Sequence, residues 1–105
     1  MQVLGQALLE DCCYDAGTGH MLAASMMDYA MPRADQMPSF HTELSEVPAP
    51  TNPLGIRAGG EGGTTPALAV LINAIVDALA ALGVRHVEMP ASPERVWRAI
   101  REAAK

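Results

Sequence analysis

An apolar helix between Pro66 and Gly83 is the feature that most constrains the fold of this sequence. Its main apolar face carries six aliphatic residues at helical spacing: Leu68, Leu71, Ile72, Ile75, Leu79 and Leu82. Thr64 or Thr65 is the expected N-cap, Pro66 suits the first turn, and Gly83 ends the pattern. Further apolar residues lie off the main face, and only two polar residues interrupt them. We therefore expect one long helix that is buried on several sides.

The rest of the chain predicts short strands and further helices. Four stretches favour extended structure: residues 12–14, 21–27, 40–47 and 84–89. The turn-rich residues 15–19 would join the first two stretches into a hairpin, and the alternating third stretch fits an edge strand. Residues 4–9 could end a helix, and Ser92 with Pro93 opens a final helix that carries Trp97 as a core anchor. The predicted fold is α+β: a small mixed domain with short strands, a glycine-rich loop, one long buried helix and a C-terminal helix.

Composition and charge exclude several classes of protein. The 105 residues are expected to form one domain, residues 1–105, since a chain of this length holds a single modest core. The net charge is -5 and the basic residues are dispersed, which argues against a nucleic-acid partner. No apolar run reaches the roughly 18 residues that span a bilayer, so we predict no membrane partner and a cytoplasmic location. The adjacent Cys12 and Cys13 are poorly placed for a mutual disulfide, which fits a reducing compartment.

A glycine-rich loop precedes the apolar helix and holds the main candidate for chemistry. In residues 52–65 the only carboxylate is Glu61, and pairs of glycines, Gly59-Gly60 and Gly62-Gly63, bracket it. Glycine lets a backbone approach a ligand closely and permits positive φ, and a helix N-terminus favours anions. The residues alone indicate either an anion or cofactor loop with one buried acid, or an ordinary solvated turn. The loop lacks the lysine of a phosphate-binding P-loop and the spacing of a dinucleotide-binding motif.

Other side chains with chemical potential are better explained by structure. The three histidines, His20, His41 and His86, are far apart in sequence, so we assign no metal ligands. We expect Cys12 and Cys13 to be buried structural residues because no catalytic partner accompanies them. The methionines are expected to fill core space; among them are Met21, Met26, Met27 and Met31.

The loop resembles that of molybdenum hydroxylase large subunits, the family of xanthine dehydrogenase, aldehyde oxidase and aerobic carbon monoxide dehydrogenase. Those subunits carry Asn-Pro-Leu-Gly, a basic residue, a glycine-bracketed Glu and Gly-Thr before an apolar helix. The corresponding residues here are 52–55, Arg57, Glu61 and 63–64. The similarity continues through residues 27–34, 73–79, 82–84 and 93–97. By this resemblance the chain is the C-terminal part of the molybdopterin-binding subunit and part of a larger molybdenum-binding fold.

The resemblance implies a function that the residues alone do not specify. It implies a molybdenum-pterin cofactor, in the cytosine dinucleotide form, with Glu61 as the general base. Gly60, Gly62, Gly63 and Thr64 would face the cofactor. The implied enzyme oxidises an aldehyde, an N-heterocycle or a similar small substrate with oxygen derived from water. Iron-sulfur clusters and FAD would lie on other chains or domains, and the implied partners are those subunits and the remainder of the molybdenum subunit.

Three departures and one alternative qualify this resemblance. Arg57, Ala58 and Gly59 stand where the family usually has Lys, Gly and an apolar residue, and Gly59 could loosen the aim of Glu61. Most of the active site would be supplied by segments outside this sequence, so the chain is expected to be inactive alone. The alternative is a stand-alone, cofactor-free remnant that acts as a structural or interaction module. Its apolar helix would then drive homo-oligomerisation.

Overall fold

Three α-helices joined by long irregular segments make up the fold in the computed structural model, which describes all residues, 1–105. The helices are α1 (Gln2–Leu8), α2 (Ala67–Leu79) and α3 (Pro93–Ala103). Short 3₁₀ turns occupy Ala34–Gln36 and Ala80–Leu82. The helix predicted to end near residue 9 and the final helix are therefore present, and α1 packs against α2.

The short strands of the predicted α+β class do not form. The expected hairpin is reduced to one antiparallel bridge between Tyr14 and Met21, flanked by hydrogen bonds from Asp15 N to His20 O and from Leu22 N to Cys13 O, each 2.8 Å. The stretches at residues 40–47 and 84–89 pair with no other part of the chain. An extended segment becomes a strand only when a neighbouring strand bonds its backbone, and this chain offers none.

The turn at residues 15–19 is closed by the Asp15 carboxylate. Its Oδ1 accepts hydrogen bonds from Thr18 Oγ1 and Thr18 N, each at 2.7 Å, and from Gly17 N at 3.2 Å. The hydroxyl of Thr18, followed by its backbone N–H, lowers the pKa of Asp15 below the ordinary value of 3.8. This turn is therefore held by an acceptor whose hydrogen bonds favour its ionised form.

We expect a Thr18→Val variant to raise the pKa of Asp15 towards its ordinary value, whereas Thr18→Ser should preserve the lowered pKa. Because the pKa is lower in the folded chain than in the unfolded chain, the stabilisation is present above the unfolded pKa. It is lost as the pH falls through the folded pKa. A carboxyl-carbon NMR titration of the three proteins measures this directly. Identical Asp15 midpoints in the wild type and the Val variant would contradict the role of the hydroxyl.

Helix α2 differs from its prediction at its start and in its burial. Pro66 is the N-cap and no side chain caps the helix, so the predicted Thr64 or Thr65 cap is wrong. The end is as predicted, because Gly83 follows the 3₁₀ turn with a left-handed φ of 83°. No residue of α2 is buried, and Val70 is 62% exposed. The expectation of a long buried helix is therefore wrong for this chain, which covers only one side of α2.

The core lies where α2, α3 and the end of α1 meet residues 84–91. Val84, Val87 and Ala91 are buried at its centre, and half-buried residues from the three helices pack around them: Leu8, Ile72, Ile75, Val76, Leu79, Val96, Ala99 and Ile100. Ser92 caps α3 by accepting a hydrogen bond from Arg95 N, as its sequence predicts. Trp97 is 56% exposed, with the Arg101 guanidinium 5.2 Å from its ring centre, so it is not the expected core anchor.

A large exposed surface distinguishes this chain from an independent domain. Its accessible area is 8536 Å², whereas about 5,700 Å² is usual for a folded monomer of this mass. The radius of gyration is 18.4 Å, against about 13 Å for a compact chain of this length. Only seven residues are buried. Many large apolar side chains are thus left exposed in this chain.

None of the helices is both long enough and apolar enough to span a bilayer.

Candidate functional site

A turn at residues 52–56 sets the start of the glycine-rich loop. The Asn52 side chain accepts a hydrogen bond from Ile56 N at 3.0 Å and donates one to Ile56 O at 2.8 Å. Gly55 adopts a positive φ of 65° and donates its N–H to Asn52 O at 3.1 Å. A Cβ at Gly55 would lie 2.9 Å from Pro48 Cβ, so both the φ and the close approach require glycine.

Two further hydrogen bonds fasten this turn to the preceding segment. Ala49 N donates to Gly55 O at 3.0 Å, and Arg57 Nη2 donates to Pro48 O at 3.4 Å. The basic residue of the motif therefore holds the backbone of its own chain. Together these bonds fix where the loop around Glu61 begins.

Glu61 lies in the turn that leads into α2, where its backbone carbonyl is hydrogen-bonded and its carboxylate is not. Its carbonyl accepts hydrogen bonds from Thr64 N at 3.1 Å, Thr65 N at 3.0 Å and Thr64 Oγ1 at 3.2 Å. Its carboxylate is exposed and makes no hydrogen bond or ion pair within the chain. The expectation of a buried acid is therefore not met by this chain alone, although the backbone around the acid is well defined.

Three of the four glycines around Glu61 have no steric role within the chain, whereas a Cβ at Gly62 would lie 3.2 Å from Gly59 O. None of them has a positive φ, and a Cβ at Gly59, Gly60 or Gly63 would meet nothing within 4 Å. The N–H groups of Gly60, Glu61 and Gly63 donate no hydrogen bond within the chain. A bare backbone with unused donors beside the N-terminus of α2 suits an oxygen-rich, anionic group arriving from outside. The loop thus offers free backbone donors to an anion.

The structure brings the predicted site residues together but places no cluster of metal-ligating side chains beside them. Gly60, Glu61, Gly62, Gly63 and Thr64 lie in one turn at the start of α2. No group of three or more His, Cys, Asp or Glu side chains could hold a metal ion. The loop can therefore offer one carboxylate and several backbone donors, and no metal ligand set.

Several other expectations for single residues are wrong. Cys12 and Cys13 are exposed free thiols, not buried residues. The methionines expected in the core are largely exposed, above all Met26 and Met27. Met26 and Met27 are 74% and 93% exposed, so neither fills core space.

Two long-range polar contacts support the fold near α1, and neither was predicted from the sequence. Arg95 Nη2 donates to Asp11 Oδ2 at 2.8 Å, while its Nη1 donates to the carbonyl of Met89. Tyr29 donates its hydroxyl proton to Glu10 Oε2 at 3.1 Å. Partial burial, and then this hydrogen bond, raise the pKa of Tyr29 above its ordinary value. The partners in the two pairs are separated by 84 and 19 positions in the sequence, so no local sequence pattern predicts them.

Comparison with known proteins places the chain in a family. A family model described as a molybdopterin cofactor-binding domain matches residues 1–38. The large subunit of nicotine 6-hydroxylase from Paenarthrobacter nicotinovorans is 36% identical over 99 residues, which cover 94% of this chain and 12% of that protein. The carbon monoxide dehydrogenase large chain from Hydrogenophaga pseudoflava is 33% identical over 84 residues, 80% of this chain and 10% of that protein. The chain belongs to the molybdenum hydroxylase family.

The three-dimensional structure of this molybdenum hydroxylase segment is also similar to part of a solved structure. The crystal structure of quinoline 2-oxidoreductase from Pseudomonas putida 86 superposes with a TM-score of 0.81 and 38% identity. The match covers 96% of this chain and 13% of that chain. The segment thus spans about an eighth of the length of the relatives it matches. Its irregular, open conformation is shared with one region of a much larger molybdenum hydroxylase subunit.

The Asn52 contacts provide a test of how the loop of this molybdenum hydroxylase segment is held. An Asn52→Ala variant should lower the free energy of unfolding by about 1–2 kcal/mol, because two hydrogen bonds to Ile56 are lost. The amide N–H of Ile56 should exchange faster by NMR. Thr51→Ala, at an exposed neighbour without such contacts, is the matched control. Equal stability and equal Ile56 exchange in the two variants would contradict the role of Asn52.

Proposed function

We propose that this chain is part of a molybdenum-dependent hydroxylase, to which it supplies the catalytic Glu61 and a cofactor-binding loop. The observation that carries the proposal is the free Glu61 carboxylate at the centre of a turn with bare backbone and unused N–H donors. The similarity to large subunits of nicotine 6-hydroxylase and carbon monoxide dehydrogenase supports the same class of enzyme. Residues 1–105 would form part of the molybdenum-cofactor-binding domain.

The proposed cofactor is a molybdenum-pterin in its cytosine dinucleotide form. The backbone of Gly60, Gly62 and Gly63, with Thr64, would line its anionic groups at the N-terminus of α2. The N–H groups of Gly60 and Gly63 are free to donate to such groups, whereas those of Gly62 and Thr64 already donate within the turn. When bound, the group supplies two-electron redox chemistry. We assign no metal ligand to this chain, and the remaining cofactor contacts would come from other segments.

In the proposed reaction Glu61 is the general base. A substrate C–H bond and one water molecule give a C–OH bond, two protons and two electrons. The carboxylate of Glu61 would take one of those protons from the water-derived oxygen, and iron-sulfur clusters and FAD on other chains or domains would supply the acceptors for the electrons. A positioned base works best in a site from which water is excluded. Since Glu61 is exposed in this chain, the rest of the large subunit would have to cover it.

The proposal includes partners and a compartment. The partners are the remainder of the molybdenum subunit and the iron-sulfur and FAD subunits, and the chain is inactive without them. The area of 8536 Å² supports the need for a covering body. We place the assembly in the cytoplasm, where exposed thiols such as Cys12 and Cys13 stay reduced.

The direct test of this function is substrate oxidation in isotopically labelled water. The assembled large subunit with its redox partners is given a panel of aldehydes and N-heterocycles in H₂¹⁸O, and the products are analysed by mass spectrometry. We expect ¹⁸O in the product and no turnover by residues 1–105 alone. A parallel reaction in unlabelled water under ¹⁸O₂ should give unlabelled product. Absence of turnover by the assembly, or oxygen derived from O₂, would overturn the proposal.

A second function is favoured by the exposed apolar residues of α2. A cofactor-free module that self-associates through this helix would cover side chains such as Val70 and Leu82. Light scattering coupled to metal analysis separates the two functions. A metal-free homo-oligomer that binds no other part of a large subunit supports the module, whereas a molybdenum-containing complex with those parts supports the enzyme.

A further inference from the structure

Residues 39–47 form an extended segment that the proposed chemistry does not use. Pro38 and Pro48 bound it, and no proline, turn or bend interrupts it. No backbone N–H of residues 39–46 donates a hydrogen bond within the chain, and no carbonyl of residues 39–44 accepts one. A segment of this length is typical of a strand, and the backbone groups of residues 39–44 are all available for pairing, whereas Val47 N donates to Ser45 O.

The two faces of this segment differ in polarity. On one face Phe40 is 62% exposed and Leu44 is 86% exposed, and neither packs against the core. On the other face His41 Nε2 and Glu43 Oε1 lie 2.7 Å apart and both side chains are exposed. Side chains two positions apart meet on one face only when the backbone is extended. We call the face of Phe40 and Leu44, which also carries Thr42 and Glu46, the apolar face, and the face of His41 and Glu43, which also carries Ser45 and Val47, the polar face.

The comparison with solved structures indicates which body covers the apolar face. The match to quinoline 2-oxidoreductase covers 96% of this chain, whose radius of gyration is 18.4 Å, and 13% of that chain. The open shape is therefore shared with one region of a much longer protein. A chain with seven buried residues does not maintain such a shape through its own core. The remaining length of the large subunit is therefore the body against which the segment is extended.

We propose that residues 39–46 dock as a β-strand on a sheet edge of the rest of the large subunit, with Phe40 and Leu44 turned towards that subunit and His41 and Glu43 towards solvent. Main-chain hydrogen bonds would provide the affinity, and the alternating side chains would fix the register. This docking mode rests on the proposed function, since it takes the large subunit as the partner. The docked strand would also bring the glycine-rich loop, residues 52–65, to the active site, because the loop follows the strand in sequence.

Two substitutions on neighbouring positions test the docking mode. Leu44→Asp places a charge on the apolar face, whereas Ser45→Asp places the same charge on the polar face. The dissociation constant of the 105-residue chain for the rest of the large subunit is measured for both. We expect Leu44→Asp to weaken binding by about 10- to 100-fold, because the burial of one leucine is lost, and Ser45→Asp to change it by less than about threefold. Both side chains are exposed in the free chain, so its helix content should not change.

Hydrogen exchange of the assembled wild-type protein provides a second readout. We expect alternate amides in residues 39–46 to exchange at least about 100-fold more slowly in the complex than in the free chain, since a strand bonds its edge through every second residue. Exchange at the rate of unstructured peptide, together with equal effects of the two Asp variants, would overturn the docking mode. Slow exchange in a homodimer of the free chain would assign the face to a second copy and would also overturn it.

The outcomes separate this proposal from the proposed function. A molybdenum-containing, active complex in which Leu44→Asp behaves like Ser45→Asp leaves the enzyme standing and removes only the strand docking. A chain that forms no complex with the rest of the large subunit removes both.

Discussion

Replacing Glu61 with glutamine is expected to lower the kcat of the assembled enzyme by about 10²- to 10⁴-fold, the usual contribution of a general base. Glutamine keeps the size of the side chain but cannot accept the proton. The Glu61 carboxylate makes no contact within the chain, so the substitution should leave the turn and its three hydrogen bonds to the Glu61 carbonyl intact. Steady-state kinetics and molybdenum content are measured on the same preparations, and we expect the metal content to be unchanged.

A second exposed carboxylate serves as the matched control for Glu61. Glu88 lies outside the glycine-rich loop, and Glu88→Gln removes the same charge from the chain. We expect this variant to retain the kcat of the wild type. If Glu61→Gln also retained wild-type turnover with full molybdenum content, Glu61 would not be the base and the assignment of the loop would fail.

Replacing Val87 with aspartate is expected to cost about 3 kcal/mol or more in the free energy of unfolding of the 105-residue chain. Val87 is 3% exposed and lies at the centre of the cluster on which α2 and α3 both pack. An aspartate there would bury a charge with no partner. Because so few residues are buried, no other part of the chain can compensate for the loss. Urea denaturation followed by circular dichroism measures the change.

Val70 provides the matched control for Val87 because it is a valine on α2 that is 62% exposed. In the isolated chain Val70→Asp should change the free energy of unfolding by less than about 0.5 kcal/mol, as is usual for surface substitutions. Equal losses in the two variants would show that residues 84–91 do not form the core of this chain.

The parts of the fold that sequence predicts well are those determined by neighbouring residues. Ser92 caps α3 and Gly83 ends the helical region after α2, because a cap and a left-handed glycine act within one turn. The strands were not predictable in the same way, since pairing depends on a partner strand that this chain does not supply. Burial of α2 and of Trp97 was overestimated for that reason.

For the site, the sequence located the loop but not the contacts that shape it. The resemblance in residues 52–64 indicated the position of Glu61, yet nothing in it predicted that Asn52 would hold Ile56 through two hydrogen bonds. In this loop the left-handed conformation expected of glycine occurs at Gly55 and not at the glycines that bracket Glu61. The exposure of Glu61 depends on surfaces outside these residues, so the sequence could not specify it.

The measurement that tests the central claim most directly is the molybdenum and pterin content of the large subunit assembled with residues 1–105. Metal analysis and pterin fluorescence after oxidation are performed on purified, folded protein. Our account predicts about one molybdenum and one pterin per large subunit, as a single cofactor loop requires. A folded assembly that contains neither would contradict it and would leave the similarity to molybdenum hydroxylases as a likeness of fold without its chemistry.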